Sequence, residues 1–271
     1  MISVQTNVSS LLAQENLRVN NEFQSKTITR LTSGYRINQS GDDAAGLAVA
    51  NGFRSSVTEL TQGVRNANDG VSTLQIIDGG ISNITKMLDR AKTLATESAS
   101  GTFTGNRTTL DAEYQDLLGE INRQANNIGL GATSAGNAVN LSVYIGGGSG
   151  TTVSVNLGGA AGKVDAATLG LAGDLTSSGN ATTEIGAINA ALGTVGTVQG
   201  IVGSGQNKLY YATQLAQSQI SSFSAAESRI RDADMAAEAA NLTKAQVLQQ
   251  ASIAAMAQAN SAPQSVLALL K

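Results

Sequence analysis

Apolar residues along this chain recur at helical spacing over long stretches, which predicts long helices. A first stripe runs from about Val4 to Thr32 through Val8, Leu11, Leu12, Val19, Phe23, Ile28 and Leu31, with a gap around Glu15. A second, from about Val57 to Ser98, steps by threes and fours through Val57, Leu60, Val64, Ala67, Val71 and Leu74, the seam of a coiled coil. Its phase then slips by a step of three to Ile77 and resumes at Ile81, Ile84, Leu88, Ala91 and Leu94, a slip that changes winding without ending a helix. A third stripe joins Leu110, Tyr114, Leu117, Ile121, Gln124 and Ile128, with Asn106 or Thr108 placed to cap its start. In the fourth, Ile188, Val195, Val202, Leu209, Ala216, Phe223 and Ile230 recur every seventh residue, with Ile185, Leu192 and Ile220 in a companion position. A fifth, alanine-rich stretch from about Met235 to Leu270 carries a broad and shallow face, and Pro263 is expected there at a bend or near the helix end.

Between the third and fourth stripes the period changes. Leu141, Val143 and Ile145 alternate with polar residues, as do Val153, Val155 and Leu157, around a Gly-Gly-Gly-Ser-Gly turn at 146–150. That predicts a β-hairpin, while residues 160–182 read as loop with at most one short strand. The fourth stripe holds Gly186, Gly193, Gly196, Gly200, Gly203 and Gly205. Each interior glycine costs roughly 1 kcal/mol relative to alanine, so packing must hold this helix, and the small residues are expected to permit close approach. A helix of 40 residues would be about 60 Å long. The fold class is therefore mainly α: an elongated antiparallel helical bundle or coiled coil, with a hairpin in mid-chain and the two chain ends packed on each other.

Composition narrows the chemistry. With no histidine and no cysteine among 271 residues, imidazole bases, thiol nucleophiles, disulfides and the usual zinc sites are excluded. Aromatics are 3% of the chain and tryptophan is absent, thin for a ligand pocket or a base-stacking surface. Seventeen basic against 20 acidic residues give a formal charge of −3, so no basic patch for nucleic acid or anionic lipid is implied. Nor does any uninterrupted apolar run reach bilayer length, and the first residues lack the pattern of a secretory signal. Asp42-Asp43 could in principle pair as catalytic or metal-binding carboxylates, but no third ligand is evident. A turn into a helix start suits them better, with carboxylates at the positive end of the helix dipole. The glycine runs match neither a dinucleotide nor a P-loop pattern. No cofactor, metal or enzyme activity is expected.

The first 33 and last 37 or so residues differ from the other seams. Their small side chains bury little at about 25 cal/mol per Å² against an ordering cost of roughly 1–2 kcal/mol per residue. They are expected to gain order when copies associate, and a heterologous contact that does not close generates a helical filament.

Residues 30–38 (Arg-Leu-Thr-Ser-Gly-Tyr-Arg-Ile-Asn), 42–50 (Asp-Asp-Ala-Ala-Gly-Leu-Ala-Val-Ala) and 65–72 (Arg-Asn-Ala-Asn-Asp-Gly-Val-Ser) resemble the N-terminal signature of bacterial flagellins. Residues 228–236 (Ser-Arg-Ile-Arg-Asp-Ala-Asp-Met-Ala), with 245–251, 257–260 and 263–270, resemble the C-terminal one. The resemblance covers roughly 3–130 and 185–271 and implies a structural subunit that self-assembles into the extracellular propeller filament. On this likeness residues 1–40 and 231–271 pair as an inner-tube domain lining the export channel. Assembly would use Val8, Leu11, Leu12, Phe23, Leu31, Leu242, Leu248, Met256, Val266, Leu269 and Leu270. Residues 41–230 form an outer domain with its hairpin near 139–158, packed through Val57, Leu60, Val64, Leu74, Ile81, Leu88, Ile121, Ile188, Val195, Val202 and Phe223. With only a hairpin and a short loop in mid-chain, it resembles a minimal member.

The likeness further implies export in an unfolded state by the flagellar type III apparatus with an export chaperone, assembly beneath a cap protein, and contact with hook-junction proteins. Switching between filament forms would run through the glycine-rich contacts. The stretch used by the animal flagellin receptor maps onto residues 89–95, with Arg90, Leu94 and Glu113 as candidate contacts. Lys92-Thr93 stands where an Arg-Glu pair is common, which counts against recognition. Thr151, Thr176, Ser177 and Ser178 are glycan candidates by expected exposure alone. The alternative reading is a hook–filament junction protein, which shares the terminal helices. An enzyme embedded in a filament would form a different class, and the missing histidines argue against it.

Overall fold

The computed structural model of this chain describes residues 7–131, 140–147, 152–157 and 162–269, with side chains described as far as Ser261 in the last helix. In order the elements are α1 (Val8–Ser33), α2 (Ala44–Ala99), α3 (Arg107–Asn127), β1 (Asn140–Tyr144), β2 (Thr152–Asn156), α4 (Ser178–Arg231) and α5 (Met235–Leu269). The chain divides into two compact units, one of Met1–Ser55 with Ser222–Lys271 and one of Ser56–Ser221.

In the first unit α1 and α5 pair, their Cα atoms approaching within 8 Å. Asn7 caps α1 by accepting from the Ser10 amide at 3.1 Å. The helix stops at Gly34, whose φ of 74° turns the chain while its amide donates to the Arg30 carbonyl at 2.9 Å. Asp234 opens α5 by accepting from the Ala236 and Ala237 amides at 2.9 and 3.1 Å. This last helix runs on through Pro263 to Leu269. The buried residues of α1 are Ala13 and Thr27, so small and polar side chains fill this interface.

α2 begins well ahead of Val57. Asp43 accepts from the Gly46 amide at 2.8 Å and fixes an alanine-rich first turn, the helix-start role expected of Asp42-Asp43.

Within the second unit the seam of α2 departs from the expected one. Leu60, Gly63, Ala67, Gly70, Leu74, Ile77, Ile81, Ile84, Leu88, Ala91, Ala95 and Ser98 are buried in an unbroken alternation of three and four, with Gly80 and Leu94 buried beside that line. The expected phase slip is absent, because Gly63 and Gly70 occupy seam positions and Val64 and Val71 stand half-buried beside them. In α3 the buried line is Tyr114, Leu118, Ile121 and Ala125, where Leu117 and Gln124 were expected. α4 buries Ile188, Val195, Val202, Leu209 and Ala216 together with Ala181, Glu184, Ala191, Val198 and Gly205. Ile185, Leu192 and Ile220 are half-buried. By length and composition alone α4 could cross a membrane, with an 18-residue window of mean hydropathy 1.4. Within the second unit its seam packs against α2 and the hairpin instead.

The hairpin is antiparallel, with Leu141 opposite Val155 and Val143 opposite Val153. Val143 and Val155 point into the core, and glycines on the helices receive them. A Cβ on Gly70 would lie 2.8 Å from Val143 Cγ2, and one on Gly205 would lie 2.6 Å from Val155 Cγ1. At Gly63 the backbone itself comes closest, 1.6 Å from such a Cβ to the Ile145 carbonyl oxygen. The remaining α4 glycines do otherwise: Gly186, Gly193, Gly196, Gly200 and Gly203 would place a Cβ with nothing within 4 Å. The close contacts expected of them within the subunit are not made, since they fall off the buried seam.

Residues 162–177 carry no strand and form a strap over α3. Val164, Ala166, Leu169, Leu171 and Leu175 are buried, and the strap is fastened at both ends. The Val164 amide donates to the Leu130 carbonyl at 3.0 Å, and the Leu175 amide donates to Asp111 at 2.8 Å. Ser98 donates to the Leu175 carbonyl at 2.6 Å. Beneath it the Tyr114 hydroxyl donates to the Glu184 carboxylate. Burial first, then the bond to Glu184 and the charges of Glu184 and Asp111, hold the Tyr114 phenol well above its ordinary range.

Candidate functional site

The paired terminal helices combine much backbone order with little apolar burial. Their side-chain contacts form a polar ladder. Asn7 donates to the Ala259 carbonyl at 2.7 Å, Ser10 to Asn260 at 2.8 Å, Asn20 to Ser252 at 3.1 Å and Gln249 to Asn21 at 3.0 Å. At the far end the Arg30 guanidinium meets Glu238 at 3.2 Å. Such a ladder fixes register but removes little carbon from water.

The apolar residues consequently face outward. Val8, Leu11 and Leu12 are 58–60% exposed, and Val247 and Ile253 are 60% and 50% exposed. Phe23 and Leu248 are exposed as well, while Leu31, Leu242 and Met256 are half-buried. Val266 and Leu269 lie in α5 beyond the described side chains, and Leu270 lies outside the described residues. A row of exposed large aliphatics on two adjacent helices marks a surface that a partner covers.

The two sequence signatures meet where α1 ends and α5 begins. Tyr35 and Asp232 form an antiparallel bridge. Around it the Arg36 amide donates to the Arg231 carbonyl at 2.6 Å, and the Ala233 amide donates to the Gly34 carbonyl at 2.9 Å. The Arg231 guanidinium lies 4.1 Å over the Tyr35 ring. These motif residues therefore join the end of α1 to the start of α5. Phe53 and Phe223 stack at 5.7 Å in the same unit.

Beside this junction a groove of about 800 Å³ runs along α1, lined by Val19, Glu22, Phe23, Lys26, Arg30 and Asp42 among others. Asp42 accepts from the Asn38 and Gln39 amides through Oδ2, both at 3.3 Å. Its Oδ1 forms an ion pair with Lys26 Nζ at 3.5 Å. Burial pushes the Asp42 carboxyl up, but the two amides and the Lys26 ammonium outweigh it and hold the group below the usual carboxylate range. Among the described residues no group of three acidic side chains is placed to hold a metal ion.

In the second unit Leu60, Leu74, Ile81, Leu88, Ile121, Ile188, Val195 and Val202 are core, and Val57 and Val64 are half-buried. Arg90 and Glu113 are exposed and pair with each other at 2.6 Å. Leu94 is buried in α2, 1% exposed, so its side chain does not reach the surface that a receptor would touch. Thr176, Ser177 and Ser178 are exposed, and Thr151 lies outside the described residues.

Two family models match this chain. The bacterial flagellin N-terminal helical region matches residues 4–130, and the bacterial flagellin C-terminal helical region matches residues 185–270. The chain is 33% identical over 268 residues to a flagellin of Halalkalibacterium halodurans, covering 98% of both chains. It is 32% identical over 281 residues to flagellin FlaB2 of Treponema pallidum, again covering 98% of both. The crystal structure of Bacillus cereus flagellin, 26% identical, superposes on 56% of this chain and 88% of its own with a TM-score of 0.49.

Proposed function

The chain belongs to the bacterial flagellin family and is a structural subunit of the flagellar filament, and we propose that copies assemble through α1 and α5. One observation carries this reading: the terminal helices pair through polar contacts and leave their large aliphatic residues in water. Covering that surface with identical helices removes the exposed carbon at about 25 cal/mol per Å². It also adds the order that a thin two-helix interface supplies poorly.

In this proposal residues 1–40 and 231–271 build the inner tube and residues 41–230 build the outer part. Val8, Leu11, Leu12, Phe23, Leu31, Leu242, Leu248, Met256, Val266, Leu269 and Leu270 serve the inner contacts. The filament is extracellular, so the subunit must leave the cell; thin terminal burial suits export in an unfolded state through the flagellar apparatus with its chaperone. Growth beneath a cap protein and attachment through hook-junction proteins complete the scheme. The test is seeded growth. Purified chain added to short filament seeds extends them into long filaments visible by negative stain. A protein that binds seed ends without extending them would behave as a junction protein and overturn the assignment.

A further inference from the structure

We propose that Ile76 of one copy seats in an apolar hole beneath the turn end of the hairpin of a second copy. The proposal rests on the filament-subunit reading and deepens it by naming one contact outside the terminal helices.

Ile76 is 68% exposed, more than any other large aliphatic side chain among the described residues. It stands on α2 among short neighbours. Ser72 and Thr73 lie one turn before it, and Gly79 lies one turn after, where a Cβ would meet nothing within 4 Å. None of the three is charged, so Ile76 is a bare apolar knob that another surface can approach closely. The hole has a volume of about 210 Å³ and is lined by Leu60, Ile145, Val153, Ala212, Leu215 and Ala216 among others, with no charged side chain. At about 30 Å³ per water it holds about seven, ample for the four carbons of an isoleucine side chain. Its rim is fixed in place: Gly146 and Gly147 take φ of 93° and 102°. Glu59 accepts from the Tyr144 hydroxyl at 2.5 Å and from the Gly147 amide at 3.3 Å. A preformed apolar pocket that takes one anchoring side chain is the usual energetic centre of a protein interface.

One chain cannot bring the two together. Leu60, in the wall of the hole, precedes Ile76 on α2 by a stretch of helix about 24 Å long. The two also leave the helix on nearly opposite sides. Leu60 and Leu74 lie on the buried seam that faces the hairpin and α4, where a Cβ on Gly205 would come 3.2 Å from Leu74 Cδ1. Ile76 faces away from that seam. With knob and hole on different sides, each contact leaves a free hole at one end of a row of copies and a free knob at the other. It therefore repeats from copy to copy, as an open helical assembly requires. Both halves are uncharged, so seating Ile76 strands no ion, and Leu215, 61% exposed at the wall, is covered in the same event.

The absence of cysteine makes the test clean. Chains carrying Ile76→Cys are mixed with tagged chains carrying Gln219→Cys, at the wall of the hole, grown on seeds, and treated with a short bis-maleimide. A mixed dimer is expected in filaments and none in dilute monomer. In parallel, Ile76→Ser removes the knob without adding charge. Its critical concentration for seeded growth should rise about tenfold, with monomer melting unchanged because Ile76 stands in water there. Filaments that give no mixed dimer overturn the proposal, as does an unchanged critical concentration for Ile76→Ser. Failure of the unsubstituted chain to extend seeds is a different result, and it would remove the filament reading itself.

Discussion

Replacing Gly63 with alanine tests how the hairpin is held against the helices. In an open helical position this change is favourable by about 1 kcal/mol, because alanine loses less backbone freedom. At Gly63 the added methyl would lie 1.6 Å from the Ile145 carbonyl oxygen and 2.3 Å from its carbon. Both are backbone atoms with no rotamer to escape into, so the end of β1 must lift. Overpacking of this kind costs about 1–3 kcal/mol. Lifting also returns part of Ile145, a buried aliphatic worth about 1.5–3 kcal/mol, to water. Taking about 2 for strain and about 1 for lost burial, less about 1 for the helix, leaves Gly63→Ala destabilised by about 2 kcal/mol. Gly193 is the internal control, since a Cβ there meets nothing within 4 Å; Gly193→Ala should gain up to about 1 kcal/mol. Urea unfolding followed by helical circular dichroism, on dilute unpolymerised protein, reads both. A Gly63→Ala chain as stable as the unsubstituted one would refute the argument, as would a Gly193→Ala chain equally weakened.

Deleting residues 242–271 removes most of α5 and should leave the second unit helical by circular dichroism while abolishing seeded polymerisation; normal filaments from this truncation would sink the terminal-helix account. Tyr114→Phe strands Glu184 in the core without its donor and should cost about 1–3 kcal/mol in urea unfolding. The raised phenol of Tyr114 has a sign consequence: the unfolded chain loses that proton first, so this contribution is intact below about pH 10 and declines above it by about 1.4 kcal/mol per pH unit. Tyr114→Phe should flatten that alkaline slope when unfolding is followed from pH 9 to 11. Asn106 caps α3 by accepting from the Thr108 amide at 3.0 Å and the Thr108 hydroxyl at 2.6 Å. Asn106→Ala should lower stability by about 1 kcal/mol, and a change within error would show that another group serves that amide.

Helix existence and the inward face of each hairpin strand were legible because both depend on period alone. Ile188 to Ala216 at every seventh position, and Val143 and Val155 at every second, state which face is inward without reference to a partner. Seam phase was legible only where the seam is made of large residues. Reading α2 by its aliphatics picks Val64 and Val71 and forces a slip at Ile77, whereas the actual seam passes through Gly63 and Gly70. Glycine is absent from a hydrophobic count, yet it marks the points where another backbone or a valine enters. A strict alternation of three and four, extended backward from Ile77, would have found both positions. The strap at 162–177 was hidden for a related reason. Its buried leucines and valines are irregularly spaced, and what holds them is hydrogen bonding to Asp111, Leu130 and Ser98, which no local pattern reveals.

The same distinction separates two features of the first unit. Its apolar stripe follows from spacing: Val8, Leu11 and Leu12 are outward because α5 offers α1 mainly amides and hydroxyls to pack against. The groove beside Asp42 does not follow from spacing. It exists because Gly34 ends α1 in a left-handed turn and the 38–39 amides draw Asp42 back toward Lys26. Asp42 and Asp43 are adjacent in sequence and differ in what they do. Asp43 gives its carboxylate to the first turn of α2. Asp42 gives one oxygen to the turn before it and the other to the ion pair with Lys26. A capping residue needs only its own helix, whereas Asp42 ties the turn before α2 to Lys26 of α1. The aliphatics that α1 and α5 leave in water are, on the proposed reading, what the next copy covers.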